Sequence, residues 1–143
     1  MIERLRERFD GLSARALILL ATIGVALPLV VAVIALAQRR WYPVLDLAMT
    51  EFRVQDVGTR DTPLIGLPGR IGELPDQGSH PGPLSFWLLA PAYRLFGSSA
   101  WAMEVATVSV ALVWAATALW IGYRRLGRAG IALVAAIIAV VVR

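Results

Sequence analysis

Pro83-Leu84-Ser85-Phe86-Trp87-Leu88-Leu89-Ala90-Pro91-Ala92-Tyr93-Arg94-Leu95-Phe96 is the stretch that decides how the chain folds. It is strongly apolar through Leu84, Phe86, Trp87, Leu88, Leu89, Leu95 and Phe96. As a helix, its roughly 14 residues reach only about 21 Å at 1.5 Å per residue. The hydrocarbon core of a bilayer is about 30 Å thick, so this segment is too short to cross it. Pro91 is expected to kink it, and Arg94 sits near its end. The segment therefore reads as a helix over 83–96 lying half-buried at a membrane surface. Pro83 would open it at a first-turn position and Gly97 would close it.

Two longer apolar runs lie on either side. Residues 16–37 contain no charge and are long enough to span. Pro28 inside them is tolerated in membrane helices. A cleaved signal peptide is the rival reading. The run is longer than a signal's apolar region, which favours a retained span. Residues 101–123 make a second span, with Trp101, Trp120 and Tyr123 near its ends. Glu104 falls in its first turn, where the helix dipole tolerates a carboxylate. Arg124, Arg125 and Arg128 mark a turn over 124–130, and 131–143 is a partial third span.

Composition agrees with lipid as the solvent. Of the 143 residues, 58% are hydrophobic, and the mean hydropathy is +0.68. A soluble domain is about 45–50% apolar. The sequence has no cysteine, which excludes disulfides and thiolate metal sites, and no asparagine, which excludes N-glycosylation. All 14 basic residues are arginine, which reads as the bias of a GC-rich bacterial genome. The net charge of +4 does not point to nucleic acid, because the arginines flank apolar runs and form no single stripe.

Those arginines also set orientation. If 83–96 does not cross, Arg4, Arg6, Arg8, Arg15, Arg124, Arg125 and Arg128 share one side. On the other side, Arg39, Arg40 and Arg53 lie near the first span and Arg94 near the next, so the count close to the spans is seven against four. The excess belongs inside, so residues 1–15 are expected as a cytoplasmic amphipathic segment and 38–100 as an extracytoplasmic loop. The expected fold class is an all-α integral membrane protein of the cell membrane. It has about three membrane helices, the third incomplete, within one membrane domain over 1–143. Its first outer loop carries interfacial helices over 44–57 and 83–96. The first of these follows from Leu45, Ala48, Met49 and Phe52, which recur at helical spacing. Residues 58–82 read as a loop dense in glycine and proline.

Chemistry, if present, belongs to the 38–100 loop. Asp46 stands just beyond the first span, where it can act as a general base, bind a divalent metal, or simply cap the following helix. Glu51 is about 140° around that helix from Asp46, so the two are not a carboxylate pair. Arg53 shares the face of Asp46, as a phosphate fork or as a solvated cation. His80 is the only histidine; its candidate roles are proton shuttle, ligand, phosphate contact, or ordinary loop residue. Neither a Gly-rich nucleotide loop nor a Ser-His-Asp order is present.

Taken together, these features resemble a family. An acidic residue soon after the first span is followed by His80-Pro81-Gly82-Pro83-Leu84, an apolar half-helix through Tyr93-Arg94-Leu95-Phe96-Gly97, and a span ending in Tyr123-Arg124-Arg125-Leu126-Gly127. This resembles the N-terminal part of the GT-C membrane glycosyltransferases, the group of protein mannosyltransferases and aminoarabinose transferases. Those enzymes commonly carry His-Pro-Pro-Leu at this turn; the inserted Gly82 looks like actinobacterial members.

The resemblance covers about residues 15–143 and implies that the chain belongs to a longer multi-span protein. It implies sugar transfer from a polyprenyl-phosphate donor at the outer face, with Asp46 as catalytic base. The family often has two adjacent acids, whereas here Leu47 follows Asp46 and the second acid would be Glu51. Arg53, Arg70 and His80 are the groups available to a donor phosphate. Partners are then membrane lipids and the lipid-linked donor, with a divalent metal left open. Two other functions compete. One is a small non-catalytic membrane protein that anchors or assembles others. The other is a transporter piece, against which stands the scarcity of ionisable residues within the apolar runs.

Overall fold

The computed structural model describes residues 12–38, 40–69, 71–72, 77–80 and 82–141. Residues 1–11, most of the expected cytoplasmic segment, lie outside the described residues, as does Arg70. Among the described residues four helices follow one another: α1 (Ala14–Ala37), α2 (Leu45–Asp56), α3 (Leu84–Leu95) and α4 (Ala100–Val141). Among the described residues no strand forms, and the only β feature is an isolated antiparallel bridge between Pro68 and Ser79. Among the described residues two helices, α1 and α4, are long and apolar enough to cross a membrane. The chain divides into two compact units, residues 1–32 with 111–143, and residues 33–110.

In the first unit, α1 starts at Ala14, two residues before the expected span. Ser13 explains the difference. Its Oγ accepts the Ala16 N–H at 3.2 Å and its carbonyl accepts the Leu17 N–H at 3.0 Å, so Ser13 caps the helix. α1 has no buried residue; Leu19, Leu27 and Val31 are all more than half exposed. α4 runs through the expected 124–130 turn as helix and is broken only at Gly127, whose φ of 59° and ψ of −142° are non-helical. Glycine alone takes such a conformation without a Cβ penalty. The turn is therefore one residue deep, and the two arms of α4 meet across Gly122 and Gly130.

A methyl built on Gly130 overlaps the Gly122 carbonyl oxygen, and one on Gly122 stands 2.9 Å from both the Gly130 carbonyl and the Val134 side chain. Small residues let two helices approach in this way. Gly130→Ala is expected to destabilise the hairpin by about 1–3 kcal/mol through overpacking. A thermal unfolding scan of the detergent-solubilised protein reads this as a lowered Tm. Gly24→Ala, which meets nothing within 4 Å, is the matched control and should leave Tm nearly unchanged.

In the second unit, a small core joins α2, α3 and the first turns of α4. Val54, Phe86, Ala90, Tyr93, Ala102, Met103 and Ala106 are buried, with Val57, Leu67, Leu89 and Ala92 packed against them. Phe86, Ala90 and Tyr93 fall at i, i+4 and i+7, so one face of α3 points inward. Its other face, Leu84, Leu88 and Leu95, is exposed and equally apolar. Pro83 is the N-cap of α3 instead of its first helical residue, and its carbonyl accepts the Phe86 and Trp87 N–H groups. Pro91 lies inside the helix without ending it.

Gly97 does end α3, as expected. Its N–H bonds the Arg94 carbonyl at 3.2 Å while the Ser98 N–H bonds the Tyr93 carbonyl at 3.0 Å, a Schellman stop with Gly97 at φ 95°. Arg94 also ties α3 to α2. Its guanidinium donates to the carbonyls of Gln55 and Val57, supplying donors to the unsatisfied C-terminal end of α2.

Candidate functional site

The site is built on α2, which enters from Val44 with Leu45 at φ 51°. Left-handed backbone at a bulky residue costs on the order of 1–3 kcal/mol and must be held by its surroundings. Val44 is the N-cap, with no side-chain cap, so Asp46 is not the cap that the sequence allowed. It is exposed within the first turn, and its carbonyl accepts the Thr50 hydroxyl at 2.7 Å. Its carboxylate there favours the helix dipole.

One turn further on, Glu51 and Gln55 stand four residues apart on one face of α2. Tyr93 of α3 inserts its phenol between them. The hydroxyl donates to Glu51 Oε1 at 2.8 Å and accepts from Gln55 Nε2 at 2.9 Å. Tyr93 is 1% exposed, so its polar end needed these partners. Burial pushes the phenol above its ordinary value of 10.0; the Gln55 donor pulls it down, and the Glu51 carboxylate pushes it up again. The phenol therefore stays a donor to Glu51 throughout the physiological range.

The folded state keeps the Tyr93 proton at pH values where the unfolded chain has lost it. Stability is thus flat in this respect below pH 10 and falls above it, at up to about 1.4 kcal/mol per pH unit, until the folded phenol ionises. Thermal unfolding across the alkaline range should show this decline in the wild type. Tyr93→Phe should remove it.

Beyond Tyr93, Glu51 lines a cavity of about 450 Å³ with Arg40, Trp41, Tyr42, Ser99 and Trp101, against Leu36 and Ala37 at the end of α1. The volume falls within the ~300–1,000 Å³ common to ligand sites. Trp101 is locked in place: its indole N–H donates to the Val33 carbonyl at 2.9 Å, and its ring meets Phe96 edge-on at 6.2 Å between centroids. Trp41 carries a buried indole nitrogen with no hydrogen-bond partner. Carboxylate, guanidinium and aromatic faces thus share one concave surface.

The other residues singled out from sequence lie elsewhere. Neither Asp46 nor Arg53 lines this cavity, although both are on α2. His80 is exposed on a short ribbon, where its N–H bonds the Leu67 carbonyl at 2.7 Å and the Gly69 N–H bonds the Gly78 carbonyl at 2.6 Å. Its own carbonyl passes so close to Gly66 that a methyl there would overlap it. Among the described residues, no three His, Asp or Glu side chains come together to hold a metal ion.

Sequence reasoning missed Arg40, Trp41 and Trp101 as cavity residues, and Tyr93 and Gln55 as partners of Glu51. A tyrosine at i+7 on the apolar face of 83–96 was the available signal, since a buried phenol demands a polar partner.

Comparison with known proteins supplies no assignment: no family profile, curated protein or solved structure matches the chain.

Proposed function

We propose that the protein is an integral membrane glycosyltransferase, or part of one, moving a sugar from a polyprenyl-phosphate donor at the outer face of the cell membrane. In this reading α1 and both arms of α4 lie in the bilayer and the N-terminus is cytoplasmic. The wholly unburied apolar surface of α1 supports that placement, because the core helix of a soluble protein would be mostly buried. The arginines around Gly127 then sit inside, in keeping with the positive-inside rule.

The observation that carries the functional reading is the cavity at the end of α1. Glu51 is fixed there by a buried phenol, beside Arg40 and three aromatic rings. Aromatic faces and a fixed carboxylate suit a sugar's C–H faces and hydroxyls. An arginine suits its phosphate. The acceptor hydroxyl would attack the anomeric carbon, pass its proton to Asp46, and expel the lipid phosphate with the electron pair of the broken C–O bond. Charge growing on that phosphate would be stabilised by Arg40, with Arg53, Arg70 and His80 as further candidates. Glu51 would orient the sugar, and Asp46 keeps the base role that the family resemblance implies.

Purified protein in proteoliposomes, given a labelled polyprenyl-phosphate sugar and outer-face acceptors, tests this. Transfer dependent on the protein is expected. Its absence in a sample with intact fold and full donor access would favour a non-catalytic anchoring role.

A further inference from the structure

Three features of the cavity remain to be explained together. Arg40 and Glu51 carry opposite charges on one concave surface, yet among the described residues the only ion pair is Arg60 with Asp61. Glu51 is held by Tyr93 instead of by an arginine. Tyr42 and Trp101 add aromatic rings, whose faces attract cations.

A purely anionic ligand would satisfy Arg40 but would place negative charge beside Glu51. A purely cationic ligand would satisfy Glu51 and the rings but would confront Arg40. One ligand class satisfies all of them: a phosphate ester bearing an amine a few bonds away. Its phosphate oxygens accept from the Arg40 guanidinium. Its ammonium donates to Glu51 and rests against an aromatic face. The cavity also begins where the apolar run of α1 ends, at Leu36 and Ala37, which is where a phospholipid headgroup would lie.

We propose that this cavity binds a zwitterionic phosphoethanolamine group, presented by a phospholipid headgroup, through Arg40 on the phosphate and Glu51, with the aromatic faces, on the ammonium. The proposal stands apart from sugar transfer. If both hold, the phospholipid competes with the lipid-linked donor for one site.

Native mass spectrometry of the detergent-solubilised full chain, titrated with short-chain phosphatidylethanolamine and with phosphatidylglycerol of the same chains, tests it. Wild type should favour phosphatidylethanolamine by about tenfold. Glu51→Gln keeps an acceptor for Tyr93 but loses the charge, and should erase that preference. Arg40→Gln should weaken both lipids by about tenfold.

Free phosphoethanolamine serves as a further arm. If it binds as tightly as the lipid, the chemistry stands and the source is a soluble metabolite, not a headgroup. If only the lipid binds, the headgroup is the source. Equal or tighter binding of phosphatidylglycerol to wild type would overturn the proposal, whether or not the variants fold. So would a preference that survives Glu51→Gln.

Discussion

Replacing Tyr93 by alanine is expected to destabilise the 33–110 unit by about 3–5 kcal/mol, the usual cost of truncating a buried aromatic side chain. Tyr93 is among the largest fully buried side chains, packed with Val54, Phe86 and Met103 in the core that joins α2, α3 and the start of α4. The alanine variant loses that packing together with both hydrogen bonds. Tyr93→Phe keeps the ring and loses only the bonds to Glu51 and Gln55, at a cost of about 1.5 kcal/mol. The difference between the two variants therefore separates packing from polar linkage. Chemical denaturation followed by near-ultraviolet circular dichroism measures both. Equal losses in the two variants would mean that Tyr93 does not fill the core as described.

The second large effect is on activity. Asp46→Asn should lower kcat for sugar transfer by about 10²–10⁴-fold, the range for removing a general base. Glu51→Gln should act differently, mainly by raising KM, because its role here is to hold the sugar. Both substitutions keep size and shape, and Asp46 is exposed, so neither should unfold the protein. Wild-type turnover in Asp46→Asn would remove Asp46 from the base role. A collapse of kcat in Glu51→Gln alone would transfer that role to the carboxylate that lines the cavity.

Local features of the fold were legible in the sequence because local chemistry determines them. The apolar periodicity of 44–57 marks α2, observed at Leu45–Asp56. Gly97 marks the end of α3 because only a residue comfortable at positive φ closes a Schellman motif there. α1 begins at Ala14, ahead of the apolar run over 16–37, because Ser13 caps the helix there. The turn after Tyr123 was read as longer than it is, since arginines suggested a loop where a single glycine break suffices.

The site was only half legible. Asp46, Glu51, Arg53 and His80 were chosen by residue type, and of these only Glu51 lines the cavity. Its link to Tyr93 spans 42 residues and depends on how α3 packs against α2, which no local pattern encodes. Arg40 drew attention only as an orientation signal. Its place in the cavity depends on the chain turning back between α1 and α2.

Everything proposed about function requires the 38–100 segment to face outward while the Gly127 turn faces inward. The absence of cysteine makes this directly measurable. Ser79→Cys and Ala129→Cys each place a single thiol at an exposed position, one on the ribbon and one beside the turn. In sealed right-side-out membranes, a membrane-impermeant maleimide should label Ser79→Cys at once and Ala129→Cys only after permeabilisation. Labelling of Ala129→Cys in sealed membranes, with Ser79→Cys protected, would contradict the outward site and with it the proposed transfer at the outer face.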